Sequence, residues 1–273
     1  MADSWLQLEG KVCVVTGAAG GIGIGIAREL AQVGARVALL DRDEQGAKNA
    51  AADIASTGAR AIAVACDITD KADVERAAAT VERELGRCNV LVNNAATIYA
   101  AALMDIELER WNQLMAVNLN GFLLCSQAFG RQMIAAGGGS MVHVASISGR
   151  VPQPYSGPYS ISKAGVKMLS QLLAVELGEH RIRSNVVSPA MVRTPLTEVI
   201  YQDPSVLKKR ESIVPAGRIS GPKDIADVVV FLASPRSGYV NGQDVLVDGG
   251  LSTTWLSLIP RPGFEKQDAE KKG

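Results

Sequence analysis

The chain has 273 residues with 28 basic and 28 acidic side chains, and it is 47% apolar but only 4% aromatic. A formal charge of zero leaves no basic field for a nucleic acid or an anionic membrane surface, and no run approaches the roughly 18 apolar residues of a membrane span. The length suits one large α/β domain or two small ones.

The opening residues Met1-Ala2-Asp3-Ser4-Trp5 lack the charged and apolar regions of a secretory signal, so a soluble, cytoplasmic protein is expected. The four cysteines, Cys13, Cys66, Cys88 and Cys125, fit no metal-ligand spacing and read as structural; no metal is expected.

Short apolar runs then alternate with helical patterns. Strands are predicted at residues 12–16, 36–41, 60–66, 90–93, 140–146, 182–188 and 244–247, each apolar on both faces as in a sheet covered on two sides. Between them lie segments such as 70–85, where Val74, Ala78, Val81 and Leu85 recur at helical spacing. The alternation implies a single-domain, Rossmann-like, doubly wound α/β fold with a seven-stranded, mostly parallel sheet.

After the first strand comes Thr16-Gly17-Ala18-Ala19-Gly20-Gly21-Ile22-Gly23, then a helical pattern in Ile26, Ala27, Leu30 and Val33. A turn without Cβ atoms that opens a helix lets the backbone approach a pyrophosphate, whose charge the helix N-terminus stabilises. A tight turn with no ligand is the plainer reading. The second strand ends in Asp41-Arg42. A carboxylate there, roughly 20 residues past the glycines, accepts from the hydroxyls of an adenosine ribose and repels a 2′-phosphate. NAD is thereby favoured over NADP, although Arg42 offers a phosphate partner; Asp41 also suits the N-cap of the next helix.

Tyr159-Ser160-Ile161-Ser162-Lys163 opens another helical segment. At this spacing Tyr159 and Lys163 share a face, and a nearby ammonium lowers a phenol's pKa toward that of a general base. Ser146 ends a predicted strand at the sheet's ligand-binding edge, where its hydroxyl suits a substrate oxygen; Ser148 is its rival. Tyr155 rivals Tyr159 but has no lysine four residues on.

From Leu8 to about Leu251 these features resemble the classical short-chain dehydrogenase/reductase family. Thr16-Gly17 with Gly21, Ile22 and Gly23 is similar to its cofactor turn, and Cys66-Asp67-Ile68 to the segment whose Asp receives the adenine amino group. Val92-Asn93-Asn94-Ala95-Ala96 resembles its Asn-Asn-Ala-Gly strand end, with Ala96 in place of glycine. Val117-Asn118-Leu119-Asn120-Gly121 resembles the segment that carries the catalytic asparagine. Ser146 stands thirteen positions before Tyr159, the family's spacing, which favours it over Ser148. Ser188-Pro189-Ala190 resembles the family's Pro-Gly loop with alanine for glycine, and Asp248-Gly249-Gly250 its closing motif.

The resemblance implies hydride exchange between a secondary alcohol and a nicotinamide cofactor. Tyr159 would act as acid or base, Lys163 would lower its pKa and hold the nicotinamide ribose, Ser146 would fix the substrate oxygen, and Asn118 would hold a relay water. Pro189, Val192 and Thr194 would meet the nicotinamide, and Asn94 and Ala95 would border it. A carrier-protein 3-oxoacyl-thioester reductase and a non-catalytic dinucleotide sensor stand as alternatives.

The implied partner is a small molecule, expected to be uncharged, in a pocket walled by residues 97–99, 147, 153–155 and 190–214, with Arg193 as its cation. The family also implies a homo-oligomer, a tetramer before a dimer, using the segment of Trp111, Phe122, Phe129 and Met133; core packing explains these residues equally well. His143 reads as a hydrogen-bonded core residue and His180 as a solvated one near a helix end. The expected organisation is an arm over 1–10, one domain over 11–251, and an extension over 252–273. Trp255, Leu256, Leu258 and Ile259 make that extension's first part apolar enough to dock, and its charged end is expected to be disordered.

Overall fold

The computed structural model describes residues 5–195, 197–259 and 262. The first four residues of the arm and the charged end of the extension lie outside the described residues, as does the side chain of Leu258. Seven strands form one sheet: β1 (Val12–Thr16), β2 (Arg36–Asp41), β3 (Ala61–Ala65), β4 (Val90–Asn93), β5 (Gly139–Val144), β6 (Ile182–Pro189) and β7 (Asp244–Val247). Their order is β3-β2-β1-β4-β5-β6-β7, and every pairing is parallel rather than mostly so.

Alternation along each strand sends successive side chains to opposite faces. Cys13, Val15, Val37, Leu39, Val92 and Val142 pack on one side against α1 (Gly21–Gln32), α2 (Glu44–Ser56) and, late in the chain, Pro222–Ala233. Val12, Val14, Leu40, Leu91 and Met141 face the other way, onto α3 (Lys71–Leu85), α5 (Gly121–Ala136) and α6 (Tyr159–Glu176). A helix at Leu108–Met115, here α4, precedes α5, and α7 (Glu198–Tyr201), α8 (Pro204–Ser212) and α9 (Pro222–Ala233) follow β6.

The predicted helix at 70–85 is α3: Asp70 caps it by accepting from Ala72 and Asp73 N–H, and Val74, Ala78, Val81 and Leu85 are buried. All four cysteines are buried free thiols. Burial raises the pKa of every one, those of Cys13 and Cys66 to about 12, so none is a poised nucleophile. Phe122, Phe129 and Met133 are core residues, whereas Trp111 is only half-buried.

Strands β3, β5 and β6 end one or two residues away from expectation. Strand β5 stops at Val144, and Ser146 instead caps a single 3-10 turn, Ile147–Gly149, by accepting from Ser148 N–H. Leu251–Thr253 and Trp255–Leu258 form further 3-10 turns, and Trp255, Leu256 and Ile259 are exposed rather than docked on this chain. Among the described residues no helix is long and apolar enough to cross a membrane.

Candidate active site

The carboxyl ends of β1, β2, β3, β4, β5 and β6 open into one cleft of about 1420 Å³. Sheets of this topology place ligands at that edge because the chain leaves the strands there as loops.

At one end stands the glycine turn. Gly17 has φ +65°, and a Cβ on it would come within 2.7 Å of Ala95 Cα, so only glycine admits the close approach of β1 and β4. A Cβ on Gly23 would overlap the Gly17 carbonyl and the Asn94 amide, which places Gly23 behind the turn. Asn94 fastens the two strand ends by donating from Nδ2 to the carbonyls of Thr16 (3.0 Å) and Gly17 (3.1 Å). Thr16 Oγ1 in return accepts from the N–H groups of Asn94 (3.0 Å) and Ala95 (3.2 Å). The helix-opening Gly20 supplies no side-chain cap, so the N-terminus of α1 keeps donors for an anion.

Asp41 is not the cap of α2. Asp43 takes that role by accepting from Gly46 N–H, because it is two residues nearer the helix and directly precedes it. Asp41 Oδ2 accepts from Ala19 N–H at 2.9 Å and Oδ1 from Asp43 N–H at 3.0 Å, which ties the tip of β2 to the glycine turn. Arg42 is exposed beside it on the cleft wall. Asp67 and Ile68 line the same end, with Asp67 Oδ1 accepting from both the N–H and the hydroxyl of Thr69.

A dinucleotide fits this arrangement: bare backbone at the turn, an uncapped helix start, and carboxylates at the tips of β2 and after β3. Gly17, Gly21, Ile22, Asp41, Asp67, Ile68, Asn94 and Ala95 face it on one side, and Pro189, Val192 and Thr194 close it on another. A Cβ built on Gly21 would sit 3.8 Å from Thr194, so the loop after β6 reaches the glycine turn.

Beyond the turn, Ser146 and Tyr159 share the cleft wall. Ser146 Oγ accepts from Ser148 N–H at 3.1 Å, which leaves its own proton to donate. Ser148 also faces the cleft, but its hydroxyl is spent on Gln153 Oε1 at 3.1 Å. Tyr155 does not line the cleft and is 76% exposed. Gly149 lets this turn meet α6, since a Cβ there would lie 2.9 Å from the carbonyl group of Lys163.

Lys163 and Asn118 stand behind the wall rather than in it, both fully or almost fully buried. Lys163 Nζ lies 5.7 Å from the Tyr159 ring centroid and 5.4 Å from that of Phe122, and it donates to Val144 O. Burial lowers its pKa to about 7. Burial also raises the Tyr159 pKa, opposed by a hydrogen bond from Ser146. The predicted depression of the phenol by the lysine is therefore not seen in the protein alone: burial sets the direction, and the group that opposes it is Ser146.

Asn118 sits in a π-helical turn, Ala116–Asn120, between α4 and α5. Its Oδ1 accepts from Thr97 N–H at 2.8 Å, and its Nδ2 donates to Thr97 O and Ser162 Oγ. Both amide protons are thus committed to holding the chain after β4 against α6.

The predicted substrate walls are met in part. Residues 97–99, Ile147, Gln153, Pro154 and Tyr201 line the cleft, but Tyr155 and Val214 do not. Arg193 is drawn out by a two-pronged pair with Glu198, at 2.8 and 2.6 Å. Arg110 and Arg210 stand in the wall instead. Sequence reasoning missed both, along with the buried network in which Asn93 and Ser184 flank His143; the placement of α4 and α8 against the cleft, which aims the two arginines, carries no spacing signal. Among the described residues no cluster of His, Cys, Asp or Glu is placed to hold a metal ion.

Comparison with known proteins agrees with this architecture. The family described as Enoyl-(Acyl carrier protein) reductase matches residues 17–252. The D-threitol dehydrogenase of Mycolicibacterium smegmatis is 40% identical over 250 residues, 91% of this chain and 95% of that one. The galactitol 2-dehydrogenase (L-tagatose-forming) of Cereibacter sphaeroides is 36% identical, covering 91% and 97%. A gluconate 5-dehydrogenase of Burkholderia cenocepacia, solved in complex with NADP and tartrate, superimposes with a TM-score of 0.85 at 33% identity, over 90% of this chain and 96% of that one. A putative NAD(P) dependent gluconate 5-dehydrogenase of Beutenbergia cavernae with bound NADP gives 0.85 at 35%, over 90% and 98%. With the sheet order, the glycine turn and the Ser146–Tyr159–Lys163 arrangement already in place, these matches assign the chain to the short-chain dehydrogenase/reductase family.

Proposed function

We propose that this protein is an NAD(H)-dependent oxidoreductase that interconverts a small secondary alcohol, whether alicyclic, aromatic or a polyol or sugar, and its ketone. The observation that carries the reading is that Ser146 and Tyr159 line the cleft that the glycine turn opens. The names of the threitol and galactitol dehydrogenases support the polyol class.

When bound, the nicotinamide dinucleotide supplies the hydride acceptor or donor. Tyr159 Oη takes the carbinol proton in oxidation and returns it in reduction. The Ser146 hydroxyl donates to the same substrate oxygen. Lys163 would hold the nicotinamide ribose from its place behind Tyr159, and in its protonated form, below about pH 7 in the protein alone, its charge would favour the phenolate. Asn118 would link this group to solvent; its spent amide protons leave its oxygen and the π-turn backbone as acceptors for a relay water. Gly17, Gly21 and Ile22 would cradle the pyrophosphate, with Gly23 packed behind them to let the turn close, Asp41 would hold the adenosine ribose with Arg42 beside it, and Asp67 and Ile68 the adenine. Asn94, Ala95, Pro189, Val192 and Thr194 would frame the nicotinamide.

The preference for NAD over NADP rests on the Asp41 carboxylate, which opposes a 2′-phosphate; two solved relatives nonetheless hold NADP. Residues 11–251 are read as one domain with an arm before and an extension after it. A homotetramer is inferred from the family resemblance.

The test is NAD reduction with a panel of polyol, alicyclic and aromatic secondary alcohols, run on the protein and on Tyr159→Phe. The variant is expected to bind cofactor and lose most turnover; near-unchanged turnover overturns the assignment.

A further inference from the structure

Charge is distributed unevenly along the cleft. Its lining carboxylates, Asp41 and Asp67, both stand at the ends of β2 and β3, beside the glycine turn. The charged groups elsewhere in the wall are cations: Arg110 on α4 and Arg210 on α8. Neither has a carboxylate within ion-pair distance among the described residues, whereas Arg193 and Arg218 close by are each paired with an acid.

Both guanidinium groups are held in the same manner. Arg110 lies over the Tyr99 ring with its Cζ 4.5 Å from the centroid, and Arg210 over the Tyr201 ring at 5.5 Å. Both rings belong to the cleft wall. Tyr201 is itself buried, and Tyr99 is fastened by its hydroxyl, which donates to Arg110 O at 2.5 Å. A guanidinium lying over an aromatic ring uses its face and keeps its edge, where the N–H donors form a fork that matches a carboxylate. Each such group without an acid partner gives the stretch of wall that carries it a positive field, although at Tyr201 the ring is shared with Arg193, which is paired with Glu198.

We propose that Arg110 and Arg210 form an anion-recognising end of the substrate pocket, so that the preferred substrate is a hydroxy acid carrying its carboxylate at the end remote from the reacting carbinol. The inference rests on the dehydrogenase reading for the reaction itself, and it replaces the uncharged substrate that the balanced sequence charge suggests. A neutral polyol of equal length fills the same space but leaves both forks to water.

The probes are D-gluconate and D-glucitol, which share a hydroxylated chain and differ in the carboxylate. In calorimetric titration with the full chain, gluconate is expected to bind more tightly, and the margin to shrink about tenfold or more in Arg110→Gln or Arg210→Gln, the scale of a charged hydrogen bond. The ratio of kcat/KM for gluconate to that for glucitol falls in parallel. Equal affinities for the two probes, or a margin that neither variant alters, overturn the proposal. Acetoacetyl-coenzyme A binding more tightly than gluconate in an arginine-dependent way overturns it too, because the arginines then serve a thioester's phosphates. Loss of the gluconate margin in the variants, with no cofactor reduction by any alcohol, overturns the dehydrogenase reading and leaves the anion site standing.

Discussion

Lys163 Nζ on α6 donates to the carbonyl of Val144, the last residue of β5, at 2.9 Å. That bond draws an amine into a site where burial lowers its pKa to about 7. Between about pH 7 and the unfolded value near 10.4 the unfolded chain holds a proton that the folded chain lacks, so stability rises with pH across this window. The gain is complete above the unfolded pKa and lost as pH falls to about 7. Thermal unfolding of the protein and of Lys163→Met should therefore diverge: from pH 7 to pH 9 the native chain gains up to about 2 kcal/mol on the variant. A difference in Tm that stays constant over this range refutes a neutral buried amine.

Ser146 meets Tyr159 with the opposite sign, since its hydrogen bond pulls down a phenol pKa that burial raises. In Ser146→Ala the phenol should titrate higher, and the rise of kcat/KM with pH in the oxidation direction should move to more alkaline values. The loss of a hydroxyl from the substrate oxygen also lowers kcat by about 10²-fold. A pH–rate profile measured with NAD and one good alcohol separates the two effects. An unshifted limb with a lowered plateau means that Ser146 acts on the substrate alone.

Much of this site was legible because backbone demands leave marks on sequence. Gly17 must be glycine at φ +65° against Ala95, and Tyr159 with Lys163 obeys helical spacing, so both could be read before any coordinates. The sheet was legible for the same reason: strands buried on both faces read as continuous apolar runs. What escaped depends on tertiary placement. Arg110, Arg193 and Arg210 are alike in sequence, and only the fold lays all three over cleft tyrosines while pairing Arg193 alone with an acid, Glu198. The buried serines Ser162, Ser170 and Ser184 are likewise satisfied by partners from other elements, apart from the bond Ser162 makes back to Tyr159 O.

Asp41 carries the cofactor preference through two bonds that also shape the turn, from Ala19 N–H and Asp43 N–H. Replacing it with serine keeps a short acceptor but removes the charge. In Asp41→Ser the ratio of kcat/KM with NAD to that with NADP is expected to fall at least about tenfold, with Arg42 then free to meet a 2′-phosphate. Initial rates at fixed alcohol with each cofactor give the ratio. A native chain that already favours NADP contradicts the assignment before any substitution is made.

His143 sits fully buried on β5, its Nδ1 3.1 Å from Asn93 Nδ2 on β4 and its Nε2 3.1 Å from Ser184 Oγ on β6. Ser184 Oγ continues to Ser170 Oγ on α6 at 2.8 Å, so the chain of bonds runs from the middle of the sheet to the helix that carries Tyr159 and Lys163. Burial lowers the imidazole pKa to about 3. Below the unfolded value near 6.5 the unfolded chain takes up a proton that the folded chain refuses, so the contribution is full above that pH and is lost progressively down to about 3. His143→Gln retains an amide to bond Asn93 or Ser184 and does not titrate. At pH 7 it should be less stable than the native chain by about 1–3 kcal/mol, the cost of imperfectly paired buried groups. At pH 5 that gap should close by about 2 kcal/mol, because only the native chain loses stability through this group. Urea unfolding at the two pH values measures the gap, and one that does not change with pH means that a neutral buried imidazole contributes nothing to the acid sensitivity of the fold.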